Sequence, residues 1–281
     1  MTDRSSSATN PGQDPVEIDI GTAQPARMTN YLLGGDDNFA VDREVIEYIT
    51  AALPGGSDAA RAAIRASRAF VERAVRYLAS AVGISQFLSI GTGIPPADHV
   101  AEVAQRFGSP GSRIVYVITD PVVLARARSL WRRSPEGVIN FVRGDVRDPE
   151  RILRRSASTL ALTRPVAVLV FGVMHLVHDT PAAHQAVARL LADLPSGSHL
   201  VMTHLASDIR ADELAGAVER MHRMAHEAKV RPFALRTHAE VARFFDGLEL
   251  VEPGVVPTDL WRPDEAGEST SFIYAGVGRK P

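Results

Sequence analysis

From Gln86 to Arg279 the sequence alternates short apolar runs with segments of helical period, and few folds accommodate that alternation. The runs QFLSI (86–90), RIVYVIT (113–119), VINFVRG (138–144), PVAVLVFGV (165–173), SHLVMTHL (198–205), LELVEPG (248–254) and SFIYAGVGR (271–279) read as seven strands. Helices are predicted between them: from Pro96 to about Phe107, after Pro121, from about Pro149 to Ala157, over PAAHQAVARLLADL, from about Ala211 to Lys229, and over THAEVARFF. Repeated β-α units give a parallel sheet covered by helices on both faces. PVAVLVFGV has no polar alternation, the pattern of a strand buried on both sides. The connection VVPTDLWRPDEAGEST carries no helix signal, so the final strand is expected to run antiparallel to its neighbours.

Ahead of this region the texture is helical. VDREVIEYITAAL places Val41, Val45, Ile46 and Ile49 at a period of 3.6, Pro54-Gly55-Gly56 interrupts it, and a second helix is predicted from about Asp58 to Ala81. Three parts are therefore expected: a disordered polar tail over 1–20, a helical N-terminal cap over 21–82, and an α/β domain over 83–281. The first residues lack the basic and apolar regions of a secretory signal, and the longest apolar run, Val166–Met174, is too short to span a bilayer. A cytoplasmic protein with no membrane partner is expected.

Composition removes several chemistries. Cysteine is absent, which excludes thiolate nucleophiles, iron–sulfur clusters and cysteine zinc sites. Lysine occurs only at Lys229 and Lys280. The residues before them are Ala228 and Arg279, where a phosphate-binding P-loop needs glycine. Ala225 and Gly276 stand where a Tyr-x-x-x-Lys pair needs tyrosine. The nine histidines show no metal-ligand spacing, and no metal is expected. A net charge of −2 offers nothing to nucleic acid.

In an open α/β sheet, ligands bind beyond the carboxyl ends of the strands. Ser89-Ile90-Gly91-Thr92-Gly93 ends the first strand, with glycines that permit close backbone approach. Asp120, followed by Pro121, ends the second and suits a ribose diol, a helix N-cap, or both. Asp145, followed by Val146, ends the third and suits an adenine amino group or an ion pair with Arg143 or Arg147. Gly172, His175 and His178 follow the fourth, and His204 lies near the end of the fifth. Together they point to an adenosine-containing ligand. A dinucleotide fingerprint requires glycine at 96, which is Pro96, and Asp120 comes 27 residues after Gly93 rather than the roughly 20 expected. S-adenosylmethionine, which has no phosphate, fits better than a nicotinamide cofactor. His175 is the candidate general base. His178 and His204 are candidates for the wall facing the substrate, and Arg27, Arg43 and Arg68 for holding a carboxylate. The cluster Asp36, Asp37, Asn38 and Asp42 either caps a helix or belongs to the site.

Five stretches carry a family resemblance: RMTNYLLGGDDNFAVDRE (27–44), IGTGIP (90–95), VYVITDPVVLARAR (115–128), FFDGLELVEPGVVP (244–257) and YAGVGRKP (274–281). Through them the chain resembles the S-adenosylmethionine-dependent methyltransferase-like proteins of high-GC bacteria, long grouped as a domain of unknown function. The resemblance implies the Rossmann-like seven-stranded class I methyltransferase sheet, S-adenosylmethionine as cofactor, and transfer of a methyl group to an unidentified small-molecule acceptor. It marks the turn region with Tyr31 and Asn38 as a cap over the cofactor. The chain departs from the family pattern at Ser89, where aspartate is usual, and at Pro96, His99 and Ala101. Ser89 is the ground for an alternative, a non-catalytic protein that binds the cofactor or its demethylated product.

Overall fold

The computed structural model describes residues 19–91, 100–130, 138–214, 216–265 and 267–281. Residues 1–18 of the tail expected over 1–20, with Thr92, Gly93, Pro96 and His99, lie outside these residues.

Three helices come first: α1 (Pro25–Leu32), α2 (Ala40–Thr50) and α3 (Gly56–Tyr77). The order is then β1 (Gln86–Ile90), α4 (Val100–Phe107), β2 (Arg113–Ile118), α5 (Pro121–Leu130), β3 (Val138–Arg143), α6 (Pro149–Ser156) and β4 (Ala167–Val170). A 3-10 turn (Met174–Leu176), α7 (Thr180–Ala192), β5 (His199–Leu205), α8 (Ala211–Leu214), α9 (Ala217–Glu227) and α10 (His238–Ala242) follow. Two-residue strands β6 (Glu249–Leu250) and β7 (Val256–Pro257) precede β8 (Ile273–Arg279).

The sheet order is β3-β2-β1-β4-β5-β8-β6, with β7 also paired to β8. β1 to β5 are mutually parallel, and β8 is antiparallel to β5, β6 and β7, as the helix-free final connection implies. This is the expected α/β architecture, with one short strand more than the seven predicted. The predicted helix over Ala211–Lys229 is in fact two, because Gly216 adopts φ +73 between α8 and α9. The left-handed conformation cannot continue a helix.

Leu88, Val115, Val168 and Leu200 face a core shared with α6, α7 and α10. Alternate residues Phe87, Ile114, Leu169 and Val201 face a second core with α3, α4 and α5. Phe70, Ala74 and Val75 put the second half of α3 into that second core. Its first half, with α1, α2 and Met221 of α9, closes a smaller cluster around Met28, Leu32 and Ile46. Sheet and cap helices thus share one long helix.

Candidate functional site

The carboxyl ends of β1 to β5 open on a cavity of about 560 Å³, within the roughly 300–1,000 Å³ usual for small-molecule sites. The strand ends contribute Gly91, Asp120, Asp145, Val146, Phe171 and Gly172; α1 and α3 contribute Thr29, Ser67 and Arg68; Met221, Arg231 and Phe233 close another side. Of the residues singled out in the sequence, Arg68, Gly91, Asp120, Asp145, Val146, Gly172, His175, His178 and His204 all line this one space.

Other candidates lie elsewhere. Pro121 begins α5 behind Asp120. Ser89 shares its face of β1 with Phe87, is fully buried, and has a hydroxyl with no hydrogen-bond partner among the described residues; it is not among the lining residues. Tyr31 packs in the cap cluster under the Arg61 guanidinium, 5.7 Å from its ring centre. Asn38 locks the loop between α1 and α2: its amide donates to Asn30 Oδ1 (3.0 Å) and Gly35 O (2.7 Å) and accepts from Arg43 (2.9 Å). That network also engages Arg43. Tyr31 and Asn38 therefore support the cap from within rather than face the cavity.

Asp120 plays the N-cap part. Its Oδ1 accepts from the backbone N–H groups of Val122 (2.7 Å) and Val123 (3.1 Å). Its Oδ2 lies 3.5 Å from Nη1 of Arg27, a buried guanidinium whose Nε pairs with Asp42 at 3.0 Å and which also donates to the carbonyls of Asp19 and Thr22. A carboxylate offers about four acceptor sites, so capacity remains for a hydroxyl from the cavity. Arg27, a sequence candidate for holding a carboxylate ligand, instead ties α1 and α2 to the end of β2. Asp145 accepts from Arg147 Nε (2.8 Å) and N (2.9 Å), which settles its ion-pair partner and holds its carboxyl below the usual range.

The histidines form a cluster that sequence spacing did not reveal. His175 and His204 meet edge to face with ring centres 6.2 Å apart, and Phe233 lies 4.8 Å from His175. His204 Nδ1 donates to Leu205 O (2.8 Å), so its Nε2 is the acceptor for Arg236 Nη1 (2.6 Å). Arg236 is buried and also donates to the carbonyls of Met174 (3.0 Å) and Val177 (2.8 Å), strapping the 3-10 turn to β5. Burial, with the positive charge of Arg236, pushes His175 down to about 3 and His204 down to about 4. His175 Nδ1 is buried without a hydrogen-bond partner among the described residues. The parallel bridge Ala206–Arg236 brings this arginine in from 30 residues along the chain, and no local sequence pattern announces it.

These depressed values predict an acid-side loss of stability. The unfolded chain binds protons on both rings near pH 6.5, the folded chain only near pH 3–4, so stability is complete above about 6.5 and falls as pH drops below it. His175→Phe removes one such site without removing a hydrogen bond to Nδ1. Between pH 7 and pH 5 the wild type is expected to lose about 2 kcal/mol more than this variant. Urea denaturation at both pH values checks this; equal losses would show that His175 protonates normally in the folded protein.

No helix among the described residues is long and apolar enough to cross a membrane, and no cluster of three metal-ligating side chains occurs among them. No curated protein matches the chain. Many solved structures do, among them the following two. One is a DUF574 family protein from Streptomyces avermitilis MA-4680, 41% identical, covering 94% of this chain and 100% of that one, with a TM-score of 0.85. The other is a candidate methyltransferase from Thermobifida fusca YX, 36% identical, covering 92% and 95%, with a TM-score of 0.81. The sequence model described as S-adenosyl methyltransferase matches residues 11–281. The chain belongs to this S-adenosyl methyltransferase family, whose cofactor is S-adenosylmethionine.

Proposed function

We propose that the cavity at the strand ends takes S-adenosylmethionine together with a small-molecule methyl acceptor. The observation that carries this reading is the gathering of Gly91, Asp120, Asp145 and Gly172 on a single space of about 560 Å³. The family's cofactor fits the residues present: two carboxylates with spare acceptor capacity lie at adjacent strand ends, and Gly91 has no side chain where a Cβ would collide with Phe171 and Val173, just past the end of β4. Asp120 takes a ribose hydroxyl, Asp145 and the Val146 backbone face the adenine, and Arg68 of α3 takes the carboxylate of the methionine part. Ser89 lies behind Gly91, in the buried wall of β1.

When bound, the cofactor supplies a methyl group on a sulfonium that is already electrophilic. The protein's part is alignment and exclusion of water. His175, neutral across the physiological range, accepts a hydrogen bond from the acceptor. A ring pushed down to about 3 is too weak a base to ionise an alcohol. The reading therefore favours an acceptor group that is nucleophilic before it binds, such as an amine or a preformed anion. His178 and His204 complete this wall. The cap helices α1 and α3 cover the cavity from the N-terminal side, and a covered, mostly apolar space admits a small molecule more readily than a nucleic acid or a protein surface.

Asp120→Asn is the direct test. One charge-assisted hydrogen bond is worth roughly 1.5–3 kcal/mol, so S-adenosylhomocysteine should bind at least tenfold more weakly by calorimetry. Asparagine preserves helix capping, and circular dichroism would verify the fold. Unchanged affinity in a folded variant would remove Asp120 from the site.

A further inference from the structure

A second cavity, of about 440 Å³, opens beside the first between the starts of α6 and α7. The two share Arg147, Arg231 and the segment Leu176–His178, which forms the sill between them. Arg189 of α7 joins Arg147 and Arg231 around the outer space. Three guanidiniums therefore line one groove. Its one lining carboxylate, Asp179, accepts from Ala182 N (2.9 Å) as the cap of α7.

The arginines differ in what holds them. Arg147 is oriented by Asp145 and Arg189 by Glu150, at 2.9 Å. Arg231 is exposed and, among the described residues, forms no hydrogen bond or ion pair through its guanidinium. The groove also faces the first turns of α6 and α7, which are capped by Asp148 and Asp179. His178, on the sill, is held below its ordinary value by burial first and then by the charges of Arg231, Arg236 and His222. The three guanidiniums ask for an anion.

The cofactor does not provide it. With ribose at Asp120 and adenine at Asp145, the uncharged end of S-adenosylmethionine lies nearest the groove, since Asp145 is joined to Arg147 through one residue. This step rests on the function proposed above. We infer that the methyl acceptor is a small organic anion, with its carboxylate in the groove near Arg231 and Arg189 and the part that takes the methyl group beside His175 and Phe233. The sill from His175 to His178 limits the separation of the two parts to about 10 Å. A guanidinium fork matches a carboxylate with two parallel hydrogen bonds, and an amide of the same shape cannot reproduce that pairing.

The experiment uses the full chain saturated with S-adenosylhomocysteine and three matched pairs of probes: benzoate, 3-phenylpropanoate and 2-naphthoate, each against its primary amide. Calorimetry should give at least one acid that binds tenfold or more tightly than its amide. Arg231→Gln should cut the affinity of that acid about tenfold and leave its amide unchanged, with an unaltered melting temperature. Arg189→Gln serves as a second variant with the same expectation. If no acid is preferred over its amide, or if both variants bind the preferred acid as the wild type does, the inference is overturned while the cofactor reading stands. Failure of S-adenosylhomocysteine to bind in the first titration would overturn both.

Discussion

Replacing Asp42 by alanine is expected to lower the melting temperature by about 10 °C, on the order of 3–5 kcal/mol for breaking a buried ion pair at 2–4 °C per kcal/mol in a chain of this class. Asp42 is fully buried. Its carboxylate accepts from Gln24 N (2.8 Å) and Phe39 N (2.9 Å) and pairs with Arg27 at 3.0 Å. Alanine leaves two backbone donors without partners and Arg27 with a single, longer ion pair, to Asp120. Asp42→Asn keeps an acceptor for the N–H groups and should recover part of the loss. Thermal denaturation of both variants decides the matter; a shift below about 2 °C for alanine would mean that water replaces the carboxylate at little cost.

Gly91→Ala should weaken S-adenosylhomocysteine binding by about a hundredfold or more, roughly 2.7 kcal/mol. A Cβ at this position would stand 2.2 Å from the carbonyl oxygen of Phe171 and 2.0 Å from Cγ2 of Val173, and the backbone has φ +87. The first obstacle is main chain, and Val173 is β-branched and stiff. Relief requires β1 and β4 to part where Phe171 N donates to Ile90 O at 3.0 Å. Gly91, Phe171 and Gly172 all line the cavity proposed for the cofactor, so this parting distorts its wall. Gly267→Ala, exposed and with nothing within 4 Å, is the control and should change neither affinity nor stability. Normal binding by the Gly91 variant would remove Gly91 from the proposed site.

The sheet was legible because apolar runs end where the chemistry begins. Strands β1, β2, β3 and β5 fall within a residue of their sequence boundaries. Each of the first three is followed by glycine or aspartate that leaves the sheet, so the alternation alone places Asp120 and Asp145 at strand ends, and the strand order makes those ends neighbours. Long-range polar pairing was not legible. Arg27 looks like a free cation in sequence, but it bridges Asp42 and Asp120, and the second of these is 93 residues away. Asn38 looks like a site residue because it sits among glycines and aspartates, yet that composition serves an inward-turned loop. Arg236 gave no signal, since its partners, His204 and the carbonyls of Met174 and Val177, meet it only after β5 and the 3-10 turn are in place.

The N-terminal helix α3 packs against the last third of the chain. Phe70 meets Trp261 edge to face at 5.3 Å, and Arg73 donates to the carbonyls of Trp261 (2.9 Å) and Thr258 (2.7 Å), with β8 completing the same core. These contacts span nearly 190 residues, and loop closure on that scale slows folding. At roughly 5–20 residues per second, a nascent chain carries the side of α3 that meets Trp261 and β8 uncovered for about 10–40 s before β8 emerges. The helix that binds cap to sheet is therefore made early and covered in two stages, first by α4 and last by the C-terminal strand, and for that interval its Trp261-facing side is what a chaperone, or another nascent chain, would meet.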